Sequence, residues 1–139
     1  MPEAGQSALL ALSDSAIVLG FDFGAKRLGV AVGNALTRSA RPLSTLDSIT
    51  NDAKWKGVSR VIAEWEPAVL VVGIPRHPDG NPHEMTVRCE RFARQLEGRY
   101  GLPVERVDER YSSAVVAEED DIDAAAAAVI LQQWLDQGA

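Results

Sequence analysis

The feature that most constrains this chain is an aspartate set inside an apolar hairpin. The run Ile17-Val18-Leu19-Gly20-Phe21-Asp22-Phe23 has the β-branched and aromatic content of a buried strand. Gly24 ends it, and after the short turn Gly24-Ala25-Lys26-Arg27 a second apolar run, Leu28-Gly29-Val30-Ala31-Val32-Gly33, begins. So short a connection makes the two strands antiparallel neighbours. An ionisable group within such a run costs several kcal/mol unless it is paired, protonated or bound to a cation. Asp22 therefore needs a partner: Lys26, Arg27, a hydrogen-bonded turn or a metal.

The remaining pattern alternates between the two periodicities. A weaker third strand spans about Arg41 to Leu46, and Pro42 places it at an edge or a strand start. From Asn51 to Glu66 the spacing is helical, with Trp55, Val58, Ile62 and Trp65 on one face and Asn51 or Asp52 as cap, until Pro67 ends it. Val69-Leu70-Val71-Val72-Gly73-Ile74 is continuously apolar, as in a central strand covered on both faces. A second helix is expected from Asn81-Pro82 to Gly98 or Gly101, burying Met85, Cys89, Phe92 and Leu96. Val104 to Asp108 reads as a short strand, Ser112 to Glu119 as a short helix, and Ile122 to Gln137 as an Ala-rich helix packing through Val129, Ile130 and Trp134. The implied fold is α/β, a mixed five-stranded sheet flanked by helices, in one domain over residues 17–139. Residues 1–16, rich in Ala and Ser, are expected to form a flexible N-terminal arm.

Composition narrows the functional classes. No stretch of about 20 apolar residues is free of charge, and the first residues lack the basic flank of a secretory signal. A soluble chain with no membrane partner is expected. A single cysteine, Cys89, cannot close an internal disulfide and is compatible with a reducing, cytoplasmic setting. A net charge of −6 and a pI near 4.9 run against binding nucleic acid by bulk electrostatics. Either nucleic acid is not the ligand, a local basic face outweighs the average, or the carboxylates serve a metal that neutralises them.

Three regions supply candidate carboxylates. Asp22 is the first. Asp108 and Glu109 end the last strand, where side chains line the crevice of an α/β sheet, and adjacent residues face opposite ways, so only one of them can join Asp22. Asp120, Asp121 and Asp123 compete around the start of the last helix, where a carboxylate also satisfies free amides. Asp22, Glu109 and Asp123 together could hold two hard cations, Mg²⁺ or Mn²⁺, that activate a water and stabilise a leaving oxygen. No nucleophilic side chain competes with this reading. Cys89 lies on an apolar helical face, Ser112 and Ser113 have no histidine beside them, and His77 and His83 lack the spacing of a zinc site. Lys26, Arg27 and Arg110 flank the carboxylates as phosphate contacts. Arg88, Arg91, Arg94 and Arg99 form a further basic strip, for which an ordinary solvated helix face is the favoured explanation.

These residues occur in five ordered motifs: FDFGAKRLGVAVG (Phe21 to Gly33), ARPL (Ala40 to Leu43), VVGIPRHPDG (Val71 to Gly80), VDERYSS (Val107 to Ser113) and DAAAAAVILQQWL (Asp123 to Leu135). Together they resemble the YqgF family, also called RuvX, of Holliday junction resolvases and pre-16S rRNA nucleases. The resemblance implies a ribonuclease H-like fold, and it selects Asp22, Glu109 and Asp123 as catalytic and metal-binding residues. It also matches Lys26 and Arg27 to the family's basic turn, and Gly73, Asp79 and Gly80 to its second loop. The implied activity is metal-dependent phosphodiester hydrolysis, with processing of the 5′ end of precursor 16S rRNA as its role. One departure stands out: only Ala114 to Ile122 separate the VDERYSS motif from Asp123, where the family carries a longer, often basic segment. The connection is either a true deletion or lacks residues left out of the sequence.

Other classes remain to be weighed. Cleavage of branched DNA would use the same carboxylates but needs a symmetric homodimer presenting two sites. A phosphotransferase of the actin and sugar-kinase type shares the Asp-x-Gly turn, yet needs two domains around its nucleotide, more than 139 residues provide. A non-catalytic RNA-binding factor would keep the carboxylates for fold or metal alone.

Overall fold

The computed structural model describes residues 16–24, 26–75, 84–108 and 122–137. The hairpin forms as the sequence implies: β1 (Ile17–Phe23) pairs antiparallel with β2 (Arg27–Asn34), setting Asp22 opposite Gly29 and Phe23 opposite Leu28. β3 (Ser39–Asp47) continues the meander on the outer edge of β2, longer at both ends than its apolar pattern suggests. Its register slips between Val30 and Ala31, so that Ala31 faces Pro42, and an edge position at a bulge tolerates proline's missing N–H. Helix α1 (Asn51–Trp65) leads to β4 (Val69–Ile74), and α2 (Glu84–Tyr100) leads to β5 (Val104–Asp108). β4 lies parallel to both β1 and β5, so the five strands run in the order β3-β2-β1-β4-β5. The chain closes with α3 (Ile122–Gln137).

Strand alternation sorts the core into two layers. Leu19, Phe21, Leu28, Val30, Val32, Leu70 and Val72 face α1 and α2, meeting Trp55, Val58, Cys89, Phe92 and Leu96. Val18, Ala31, Val69, Val71 and Val107 face α3, meeting Ala127, Ile130, Leu131, Trp134 and Leu135. This explains the unbroken apolar run of β4, which is buried along its whole length because both faces are covered.

Helix ends depart from the sequence reading in small ways with clear causes. The cap of α1 is Thr50, one residue before the expected Asn51 or Asp52; its Oγ1 accepts from the Ala53 amide at 3.1 Å. Glu66 takes a left-handed conformation and its amide closes the helix on the Ile62 carbonyl, just before Pro67. Gly101, with φ of 64°, ends α2 in the same way. Val129, expected to pack, is 40% exposed, because the buried stripe of α3 runs through Ala127, Ile130, Leu131 and Trp134. The expected arm (1–16, apart from Ala16), the start of the second helix at Asn81-Pro82 and the short helix Ser112 to Glu119 lie outside the described residues. Among the described residues, no helix is long and apolar enough to cross a membrane.

Helix α3 is tied to the outer strand by one side chain. Gln132 accepts from the Ala40 amide and donates to the Arg38 carbonyl, both at 2.9 Å, completing backbone groups at the start of β3. Gln132→Ala should strand both groups and cost about 1–3 kcal/mol. Urea unfolding of the two proteins, read by the midpoint at equal slope, measures this cost.

Candidate active site

The site end of the sheet is where β1 stops and α3 begins. Asp22, next to last in β1, points to the α3 face, since Phe21 and Phe23 on either side of it belong to the opposite layer. Its cross-strand partner is Gly29, and the need for glycine there is steric. A Cβ on Gly29 would stand 1.8 Å from the Asp123 carbonyl oxygen and 2.9 Å from the Ala124 amide nitrogen. The first turn of α3 therefore rests on the β2 backbone, bringing Asp123 next to Asp22.

The two carboxylates differ in their surroundings. Asp123 accepts an ion pair from Arg27, Nε to Oδ2 at 2.8 Å, at the first residue of β2. Asp22 has neither hydrogen bond nor ion pair among the described residues, so the alternative of pairing with Lys26 or Arg27 is not realised, and Arg27 goes to Asp123 instead. Its carboxyl pKa is pushed up from 3.8 to about 6, first by burial and then by the negative charge of Asp123. Lys26 is exposed beside the turn, while Asp108 closes β5. Arg106, two residues before Asp108 on the same strand face, pairs with Glu90 and Glu97 of α2, so Asp108 lies on the side of the sheet away from Asp22. Glu109 and Arg110 lie outside the described residues, as do Asp79, Gly80, Asp120 and Asp121.

Two neighbouring carboxylates, one of them half-buried and without a partner among the described residues, are suited to a hard divalent cation. Oxygen donors are what Mg²⁺ and Mn²⁺ prefer, and a cation would offset both the burial and the Asp123 repulsion that raise Asp22. Among the described residues the two are not joined by a third acidic, histidine or cysteine group. Sequence reading overlooked Gly29 as the residue that admits α3. Its signal was a glycine inside a strand pattern, which often marks close backbone approach.

The sequence model of one family, described as "RuvX: Holliday junction resolvase", matches residues 16–137. The chain belongs to the RuvX family. Its relatives include a protein of Burkholderia ambifaria (strain MC40-6), 52% identical over 134 residues, covering 88% of this chain and 90% of the relative. One from Burkholderia mallei (strain SAVP1) is 54% identical, covering 91% and 92%. Both carry the name "Putative pre-16S rRNA nuclease". Membership and these names make this RuvX chain a nuclease, a hydrolase of phosphodiester bonds. Solved structures share the fold at low identity. Fowlpox virus resolvase with Holliday junction DNA matches at TM-score 0.54 and 10% identity over 87% of this chain and 97% of that one. Thermus thermophilus RuvC with a Holliday junction matches at 0.51 and 15% over 88% and 95%. The sheet order and the flanking helices are thus those of the ribonuclease H-like fold.

A raised carboxyl pKa links stability to pH. Between pH 3.8 and about 6 the folded protein holds a proton on Asp22 that the unfolded chain has lost, so stability falls as pH rises through that window. The penalty is complete above pH 6 and absent below 3.8. In chelator, Asp22→Asn should therefore be more stable than wild type by roughly 1–3 kcal/mol at pH 8, with the gap closing towards pH 4. Denaturant unfolding of both proteins across this range checks the sign. Gly29→Ala should drive α3 off β2, lowering the melting temperature and abolishing cleavage together, as read by thermal unfolding and nuclease assay.

Proposed function

We propose that this RuvX protein is a cytoplasmic, divalent-cation-dependent nuclease that processes the 5′ end of precursor 16S ribosomal RNA. The observation that carries the reading is the half-buried Asp22 carboxylate, without a partner among the described residues and held near Asp123. Mg²⁺ or Mn²⁺, as a pair held by Asp22, Asp123 and Glu109, would supply a water of lowered pKa and charge stabilisation for the leaving oxygen.

The chain's own groups do the rest. Arg27 holds Asp123 in place and, being 66% exposed, keeps guanidinium N–H groups free to donate to a phosphate. Lys26, exposed in the same turn, and Arg110 grip the strand on either side of the cut. Asp22 must be ionised to act as a ligand, so protons compete with the cation for its carboxylate, whose pKa burial and Asp123 raise in the metal-free protein. The RNA substrate is suggested by the names of the relatives. The family's own description favours a second reading, cleavage of branched DNA by a homodimer.

The two readings separate in one experiment. A precursor 16S 5′ segment and a four-way DNA junction are incubated in parallel with Mg²⁺ or Mn²⁺, using wild type, Asp22→Asn and Asp123→Asn. Cutting of the RNA alone, reduced at least 100-fold in either variant and lost in chelator, is the expected result; junction cutting alone favours the homodimer. Equal activity in the variants overturns the carboxylate site, and no cutting of either substrate leaves a non-catalytic RNA-binding factor as the reading.

A further inference from the structure

Lysine ammonium groups are seldom buried without a carboxylate, yet Lys54 is 7% exposed, one of three buried polar or charged residues among those described. The apolar stripe of α1 explains how it gets there: Lys54 precedes Val58 by four residues and Val61 by seven, so it lies on the packed face. Its Nζ stands 5.2 Å from the ring centre of Phe23, 5.1 Å from that of Trp55 and 5.8 Å from that of Phe92. Two further cations close in from α2. The Arg99 guanidinium lies 4.0 Å over Trp55 and that of Arg88 lies 6.0 Å over Phe23.

Three positive charges thus share one set of aromatic rings, and among the described residues none of them forms an ion pair. Glu90 and Glu97 of α2 are taken by Arg106. Cation–π attraction offsets part of the cost of burial, but it does nothing for the mutual repulsion. Burial, then Arg99 and Arg88, push the Lys54 ammonium pKa down. What would relieve all three is an anion. Arg88 and Arg99 are both exposed and sit eleven residues apart on α2, about 16 Å along the helix axis, with Lys54 across from them on α1. Their charged ends reach opposite ends of the ring set, Arg88 at Phe23 and Arg99 at Trp55 with Lys54 near both, an arrangement that can meet successive phosphates.

We propose that the Lys54–Arg88–Arg99 cluster, on the α1–α2 side of the sheet, is a second phosphate-binding track that holds the nucleic-acid strand beyond the cleavage site. Its position fits: Phe23, whose ring it surrounds, follows Asp22 in β1 and faces the other way, so a strand leaving the carboxylates over the end of β1 meets this track next. The acidic chain thereby presents a local basic surface where one is needed, resolving the conflict with its net charge of −6. The track rests on the nuclease reading for its ligand, a single-stranded RNA backbone.

The test uses the full chain carrying Asp22→Asn, which binds without cutting, and a fluorescein-labelled single-stranded RNA from the precursor 5′ segment. Affinity is measured as a function of salt. Adding Arg88→Gln and Arg99→Gln, both surface changes, should weaken binding at least tenfold and reduce the slope of log K against log salt by about 1.4, at about 0.7 for each phosphate no longer neutralised. Lys54→Met, which keeps the packing volume, should lower the slope by about 0.7, with circular dichroism unchanged. Unchanged affinity and slope in the double variant overturn the track, as does the absence of RNA binding by the parent. Inorganic phosphate, titrated against tryptophan fluorescence, should bind far more weakly than the RNA; equal affinity would mean a lone-anion pocket and overturn the strand assignment. Cutting by wild type is scored separately. A protein that cuts while the slope stays fixed loses the track and keeps the nuclease; one that fails to cut while the slope falls keeps the track.

Discussion

The approach of α3 to the β1–β2 hairpin is the constraint on which the rest of the molecule depends. Three glycines permit it. A Cβ at Gly29 would collide with the backbone of Asp123 and Ala124, one at Gly20 would come within 2.8 Å of the Leu131 Cβ, and one at Gly33 would crowd Leu131 and Leu135. With no side chains between them, the helix lies directly on the strands and its alanines, Ala124 and Ala127, are buried against the sheet. The contact closes one core layer and sets a helix-borne carboxylate beside a strand-borne one. A close-packed interior has no slack to absorb a methyl group at such a point. Fold and site therefore share one seam.

Electrostatics at this seam oppose folding. Burial, and then the nearness of Asp123, raise the Asp22 carboxyl pKa, and within the described residues only Arg27, at the start of β2, offers compensation, to Asp123. Strain of this kind is expected where charge is arranged for a ligand rather than for the folded chain alone. The opposite side of the sheet shows the complementary case, three cations gathered around Phe23, Trp55 and Phe92 with no ion pair among the described residues. An acidic protein can therefore concentrate negative charge where a cation belongs and positive charge where a phosphate belongs. Net charge averages over both and describes neither.

Much of this was readable in one dimension because it follows from local periodicity. The strands Ile17–Phe23, Val69–Ile74 and Val104–Asp108 and the helix Ile122–Gln137 are the spans their apolar patterns imply. Pro42 on the edge strand and Asp22 as the anomalous residue were likewise legible, since one lacks a donor and the other carries a charge into a strand. Element ends were less so. Thr50 takes the cap in place of Asn51 or Asp52 because its backbone is extended and its hydroxyl reaches the Ala53 amide, geometry that several neighbouring polar residues could satisfy equally well. Arg27 looked equally able to pair with Asp22, yet it reaches Asp123, nearly a hundred residues away.

The sequence by itself determined the type and order of the described elements and the family, because these depend on side-chain chemistry repeated at short spacing. Only the tertiary structure decided which charges meet. That Gly29 is a seat for α3, that Asp22 has no partner among the described residues, that Asp108 faces away from it and that Lys54 is buried beside Arg88 and Arg99 are consequences of how distant segments pack. Coulombic and steric terms fall off over a few ångströms. Chain spacing carries no such distances.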